Sequence, residues 1–314
     1  MNNIVRKRIE ILGKLLIGSG LMVFLVIFVN PNAIVETFKK ANSFYLGAAI
    51  LLLPLNLFLQ YVKWKILCKK YFNIQKSRPV WLSLFYGISG GIFTPMKSGE
   101  YIARALPLKE VNAFDVIMAT AVDKLIPIFF VITIGGSFFI IYLRGIIHYS
   151  NCVTIIMIIS YLGVLLFLAT LILSNCNLSL KLRAKLKRVK FIDKFIERVS
   201  FIRAIDKKTF GKLIIISFIY HLTFITQMIL LLSAFSGELN FMIFFFAANL
   251  IIFTQIVIPP IALGELGIRE SAAVYYLQNL GYPAVVGFNA AFSLFTINLL
   301  IPSIIGLFLL LKRN

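Results

Sequence analysis

Two copies of one charged motif stand out in this sequence. The pattern Pro-x-x-x-Gly-Glu-x-x-x-Arg occurs in TPMKSGEYIAR and again in PPIALGELGIR. A Glu and an Arg four positions apart share one face of a helix and can form an ion pair. A guanidinium can also donate two parallel hydrogen bonds to a phosphate or a carboxylate. The motif therefore has the groups to bind an anion or merely to close a helical turn with a salt bridge, and both interpretations stay open.

The motif residues fall into two groups with different expected roles. Proline and glycine are expected to break each apolar region into a hairpin of half-helices, and the predicted hairpin-forming residues are Pro95, Gly99, Pro260, Gly264 and Gly267. The charged side chains are expected to contact a substrate, and those in and beside the motifs are Lys97, Glu100, Arg104, Glu265, Arg269 and Glu270. In this hypothesis the arginines bind an anionic group, and the glutamates orient them or carry protons.

A third charged feature, Asp123 and Lys124, lies within the apolar segment MATAVDKLIPIF. Charged side chains inside a membrane segment face the protein interior or a water-filled cavity. We therefore count both among the predicted substrate-binding residues, with a purely structural pair as the alternative.

The composition predicts an integral membrane protein. Of 314 residues, 60% are hydrophobic and only 14% are charged, whereas about a quarter of a soluble domain is charged. The net charge is +20, but the basic residues lie mostly between apolar segments, which favours lipid headgroups over nucleic acid as partners. Three cysteines that are far apart, two lone histidines and no catalytic signature predict no metal, no cofactor and no enzymatic activity.

Six apolar stretches reach the length of about 20 residues that a helix needs to cross a bilayer. They lie at residues 11–29, 44–62, 115–143, 152–174, 213–235 and 284–311. Two further apolar regions, 80–112 and 239–280, contain the motifs. The predicted fold is an all-α integral membrane protein with six full spans plus two re-entrant broken-helix hairpins arranged as an inverted repeat.

The inverted repeat follows from the basic residues, which also set the predicted orientation. Basic clusters precede the first predicted span, follow the second, fill residues 175–212 and close the chain. All four lie on the cytoplasmic side of a cell membrane if each motif region returns to the side that it left. Both termini are then cytoplasmic, and the two hairpins enter from opposite sides. The alternative is that both motif regions are plain spans and the motif match is accidental.

The predicted units follow from these segments. They are a first membrane repeat at 1–145, the first span of the second repeat at 146–174, a basic linker at 175–212 and the rest of the second repeat at 213–314. Apolar residues recur in the linker every three or four positions, which predicts an amphipathic helix on the inner membrane surface. A solvated helical hairpin is the alternative.

The charged segments resemble a known family. TPMKSGEYIARA, ATAVDKL and IPPIALGELGIRESAAVYYL are similar to the three signature regions of the lysylphosphatidylglycerol synthase transmembrane, or flippase-like, family. The resemblance covers nearly the whole chain. The segment from Gly267 to Glu270 fits the Gly-x-Arg-Glu of the family, whereas Asp123 and Lys124 stand where it usually has Glu-Arg, and Ala262 and Leu263 replace glycines.

The resemblance implies movement of a lipid between leaflets. In bifunctional members a soluble aminoacyl-transfer domain follows this membrane part, and we expect no such transfer here because the chain ends at Asn314, just after its last predicted span. The leading hypothesis is flippase-like translocation of a phospholipid or a polyprenyl-phosphate-linked lipid, with membrane lipids and their anionic headgroups as partners. The alternatives are a small-anion secondary carrier and a non-catalytic membrane subunit of a cell-envelope enzyme. The partner would then be a second copy or an envelope-biogenesis enzyme.

Overall fold

The protein is all-helical in the parts that the computed structural model describes, which are residues 22–92, 94, 97–173, 206–258 and 266–312. The helices are α1 (Met22–Val29), α2 (Pro31–Lys39), α3 (Ser43–Phe72), α4 (Ser77–Ile92), α5 (Ser98–Ala103), α6 (Ala113–Phe130), α7 (Gly136–Ile147), α8 (Asn151–Leu173), α9 (Lys207–Ser236), α10 (Phe241–Val257), α11 (Ile268–Asn279), α12 (Ala284–Phe295) and α13 (Ile301–Leu311). Two π-helical segments, Val131–Gly135 and Thr296–Leu300, join α6 to α7 and α12 to α13.

Five helical stretches are long and apolar enough to cross a membrane. They are Ser43–Phe72, Ala113–Ile147, Asn151–Thr170, Lys207–Ser236 and Ala284–Leu311. Each overlaps one of the predicted spans, so five of the six are confirmed. The part of the remaining span that precedes residue 22 lies outside the described residues. Its end, α1, meets α2 at a bend of 73°, and the pair counts as a sixth span if it is taken as one.

Two helix boundaries correct the prediction. Helix α3 does not end near residue 62 but continues to Phe72, because buried Tyr61, Trp64 and Cys68 maintain the helical spacing through the first lysines. Helix α9 begins at Lys207, so the last residues of the predicted linker belong to a span. The earlier linker residues, up to 205, lie outside the described residues.

The connection predicted after the first span contains the amphipathic helix α2. The Asn30 side chain accepts a hydrogen bond from the N–H of Asn32, and Pro31 occupies the first helical position, where it needs no N–H partner. The helix packs on α12, and Asn289 donates a hydrogen bond of 3.2 Å to the carbonyl of Ile34. Exposed Val35 on the same helix is typical of a helix that lies at a membrane surface.

Each motif region contains two helices on either side of a break. Helices α4 and α5 pack against each other, and so do α10 and α11. Positive φ angles of 53° at Lys97 and 95° at Gly267 mark the residues from which α5 and α11 begin. Whether each region returns to the side of the membrane that it left stays a prediction. Several predicted residues of the breaks lie outside the described residues, namely Pro95, Pro260, Gly264 and Glu265.

The centre of the fold is the contact between α3 and α9, which bring the two halves together. One buried apolar cluster lies among α3, α4 and α6 of the first half, and a larger one lies mainly among α9, α10, α11 and α12 of the second. The halves also exchange contacts. Helix α4 packs on α13, and α10 packs on α7 and on the π-helical segment before it.

Candidate functional site

Five charged side chains gather where α3, α5 and α6 meet, and we call them the charge cluster. Arg104 is central: its Nη2 lies 2.8 Å from Glu100 Oε1 and its Nη1 lies 2.9 Å from Asp123 Oδ2. Each carboxylate has a second cation, since Lys124 Nζ lies 2.6 Å from Glu100 Oε1 and Lys63 Nζ lies 3.1 Å from Asp123 Oδ1. The cluster therefore joins three cations and two carboxylates into one network.

Arg104 is fully buried, with a relative exposure of 0%. Its guanidinium carbon lies 4.7 Å from the centre of the Trp64 ring, a cation–π distance. The backbone around it is also held, because the Trp64 indole donates to the Ser83 hydroxyl, which in turn donates to the Arg104 carbonyl at 2.6 Å. Arg104 is thus fixed on every side by protein groups.

Glycines of α4 let α5 come close enough to build this cluster. A methyl group on Gly87 would meet the Arg104 side chain, and one on Gly90 would lie 2.7 Å from the Ala103 Cβ. On the facing helix, a Cβ on Gly99 would collide with the carbonyl oxygen of Gly90. Small residues at a helix contact allow such an approach inside a membrane. Short α5 then presents Glu100 and Arg104, four positions apart, on one face.

A cavity of about 340 Å³ lies between the two halves, beside the charge cluster. Its charged lining residues come from both halves and are Lys63, Lys97, Glu100, Asp123, Lys124 and Arg269. Its uncharged polar and ring-bearing lining residues include Gln60, Tyr101, Tyr220, His221, Gln255 and Asn298. Arg104 does not line the cavity; it holds the two carboxylates from behind.

Arg269 is the charged residue that the second half contributes to the cavity wall. Its Nη2 lies 3.2 Å from Glu270 Oε1, and the other oxygen of Glu270 accepts a hydrogen bond of 2.7 Å from the N–H of Gly267. Glu270 therefore caps the first turn of α11 and orients Arg269. The Nε of Arg269 has no hydrogen-bond partner among the described residues. A buried guanidinium with spare donor capacity is suited to an anionic ligand.

Uncharged polar groups connect the cavity wall to the centre of the protein. Asn298, in the second π-helical segment, donates to Gln227 at 2.7 Å, and Gln227 donates to the Ala49 carbonyl at 2.9 Å. These bonds join α3, α9 and the last span, and they agree with the interhelical hydrogen bonding expected for buried amides.

The structure brings together most of the residues predicted as a site. Lys97, Glu100, Asp123, Lys124 and Arg269 line one cavity, whereas Glu270 lies behind it. Glu265 lies outside the described residues. The role of these residues in binding a substrate stays a prediction.

The prediction for one residue of the cluster was wrong. The charge pattern predicted Lys63 in a cytoplasmic connection, but its side chain is only 4% exposed and is paired with Asp123. The signal that could have identified it is the continued spacing of the apolar residues on either side of Lys63, which extends the helix beyond it.

The fold and the site together define a multi-pass helical membrane protein with a buried charge cluster beside a cavity between its halves. The family model described as Lysylphosphatidylglycerol synthase TM region matches residues 11–306. The chain therefore belongs to this family, as the motifs predicted. The match is to the membrane region of these synthases. A comparison with curated proteins finds no match.

Proposed function

We propose that the protein moves a phosphate-bearing lipid, either a phospholipid or a polyprenyl-phosphate-linked lipid, between the leaflets of the cytoplasmic membrane. The membrane region that defines the family is associated with lipid flipping. The observation that carries the proposal is one cavity whose wall holds cations from both halves, among them Lys124 from the first and Arg269 from the second. The headgroup occupies this cavity while the chains remain in the bilayer.

The lining groups have the chemistry that a phosphate requires. Lysine ammonium groups and guanidinium groups both form short, charge-assisted hydrogen bonds to phosphate oxygens. In a site partly removed from water such bonds are screened less than at a surface. A volume of about 340 Å³ lies at the lower end of the range for small-molecule sites, roughly 300–1,000 Å³. It accommodates a headgroup and excludes long acyl chains.

Arg104 has a positioning role in this proposal. Its buried guanidinium holds Glu100 and Asp123, and these carboxylates in turn hold Lys124 and Lys63 at the cavity wall. The substrate is bound by the cations at the wall and by Arg269.

Several features support an internal repeat with inverted halves, which would allow the cavity to open to either leaflet. Helices α3 and α9, the span before each motif region, both have 30 residues. The last span of each half contains one π-helical segment, a feature that is frequent at functional sites. Each half also packs the first helix of its motif region on the last span of the other half.

We expect Arg269→Gln to slow lipid transfer about tenfold or more, because a charge-assisted hydrogen bond contributes roughly 1.5–3 kcal/mol. The glutamine amide can still donate to Glu270, so the cap of α11 should persist. The measurement uses proteoliposomes that contain phosphatidylglycerol with a fluorophore on an acyl chain, and membrane-impermeant dithionite reports which leaflet the lipid occupies.

Arg144→Gln is the matched control, because Arg144 is exposed and does not line this cavity. Wild-type transfer by Arg269→Gln would contradict the assigned role. Uptake of inorganic phosphate or glycerol 3-phosphate into the same vesicles, without any lipid transfer, would replace the proposal with a small-anion carrier.

A further inference from the structure

The cavity wall has an imbalance of charge. Four cations and two carboxylates line it among the described residues. Behind the wall, Arg104 and Glu270 offset each other. The described residues thus leave an excess of positive charge, and this sign holds even if Glu265, which lies outside them, adds one carboxylate.

Lys124 is the most accessible member of the charge cluster. Its side chain is 32% exposed, whereas those of the other four members are at most 5% exposed. Glu100 Oε1 accepts from both Lys124 and Arg104, at 2.6 and 2.8 Å. If Lys124 turns away, Glu100 keeps its arginine and no buried carboxylate is left unpaired.

Lys63 differs from Lys124 in this respect. Its ammonium group is held by the Asp123 carboxylate at 3.1 Å and also by the Asp123 carbonyl at 3.0 Å. Release of Lys63 would break two contacts within a fully enclosed environment. Lys124 is therefore the cation of the cluster that can exchange a protein partner for a ligand at low cost.

From this imbalance we infer that the cavity selects lipids by headgroup charge: it admits headgroups with net negative charge, with Lys124 leaving Glu100 for the phosphate, and it disfavours headgroups with net positive charge. The inference rests on the proposed function and narrows its substrate class. A lysyl ester of phosphatidylglycerol, whose headgroup is cationic, is disfavoured because it brings ammonium groups to a wall that already has too few carboxylates.

Binding tests the selection directly. The purified protein in detergent is titrated with short-chain dihexanoyl lipids that carry a glycerol, choline or lysyl-glycerol headgroup, and affinity is measured by calorimetry. We expect the anionic glycerol lipid to bind at least tenfold more tightly than the cationic lysyl lipid. Equal or tighter binding of the cationic lipid would overturn the inference.

Variants of Lys124 test its part in the selection. Lys124→Gln should weaken binding of the anionic lipid about tenfold, Lys124→Arg should retain it, and Lys124→Glu should remove the preference for the anionic lipid. Lys109→Gln is the matched control, because Lys109 is exposed in the turn before α6 and does not line the cavity. Unchanged selectivity in Lys124→Glu would contradict the assignment.

Transfer of the same headgroups separates this inference from the proposed function. Long-chain lipids with the three headgroups and a labelled acyl chain are reconstituted with the protein and assayed with dithionite. Selective binding without transfer of any lipid would support charge selection and overturn the proposed transport. Equal transfer of all three would support transport and overturn the selection.

Discussion

Replacement of Arg104 by alanine is expected to lower the free energy of unfolding by about 3–5 kcal/mol, the usual cost of removing one partner from a buried ion pair. Two carboxylates, Glu100 and Asp123, would lose the guanidinium that bridges them, and both are at most 5% exposed. The substitution would also leave a void beside Trp64, where the guanidinium now packs. Arg104→Lys should be intermediate, because an ammonium group keeps the charge but cannot bridge both carboxylates in the same planar geometry.

The measurement is the unfolding of the purified protein in detergent, followed by heat and by denaturant. Arg78→Ala is the control, because Arg78 is exposed near the start of α4. A double-mutant cycle with Glu100→Gln isolates the pairwise contribution. An Arg104→Ala variant within about 1 kcal/mol of the wild type, less than the loss of a buried pair should cost, would show that the two lysines alone hold the carboxylates.

Replacement of Gly99 by valine is expected to force α4 and α5 apart, to lower the free energy of unfolding by about 1–3 kcal/mol and to abolish lipid transfer. A Cβ at this position would collide with the Gly90 carbonyl and would lie 2.8 Å from the Thr94 side chain. A backbone carbonyl cannot move aside without its helix. Because α5 carries Glu100 and Arg104, a shift of α5 would also separate the charge cluster.

The matched control is Gly47→Val in α3, since nothing lies within 4 Å of a Cβ built on Gly47. Thermal unfolding and the dithionite transfer assay are measured for both variants. We expect Gly47→Val to stay near the wild type in both. Wild-type stability and transfer in Gly99→Val would mean that α4 and α5 need not lie as close as the structure places them.

The sequence by itself determined the class of protein and most of its spans. Five predicted spans coincide with helices of sufficient length, because the thickness of the bilayer sets a local requirement for apolar length that a single segment must meet. The pair of Glu100 and Arg104 was also predictable, since residues four apart on a helix are neighbours whatever surrounds them. The motifs further identified the family.

Only the tertiary structure decided which of these charges share a partner and which face the cavity. Lys63 meets Asp123 although the two residues are 60 positions apart in the chain, and Arg104 lies behind the cavity wall rather than on it. The physical reason is that a hydrophobic pattern defines a helix but not the rotation and the neighbours of that helix. In this protein those are set by the close approach of α4 and α5 at glycines and by the packing of α3 against α9.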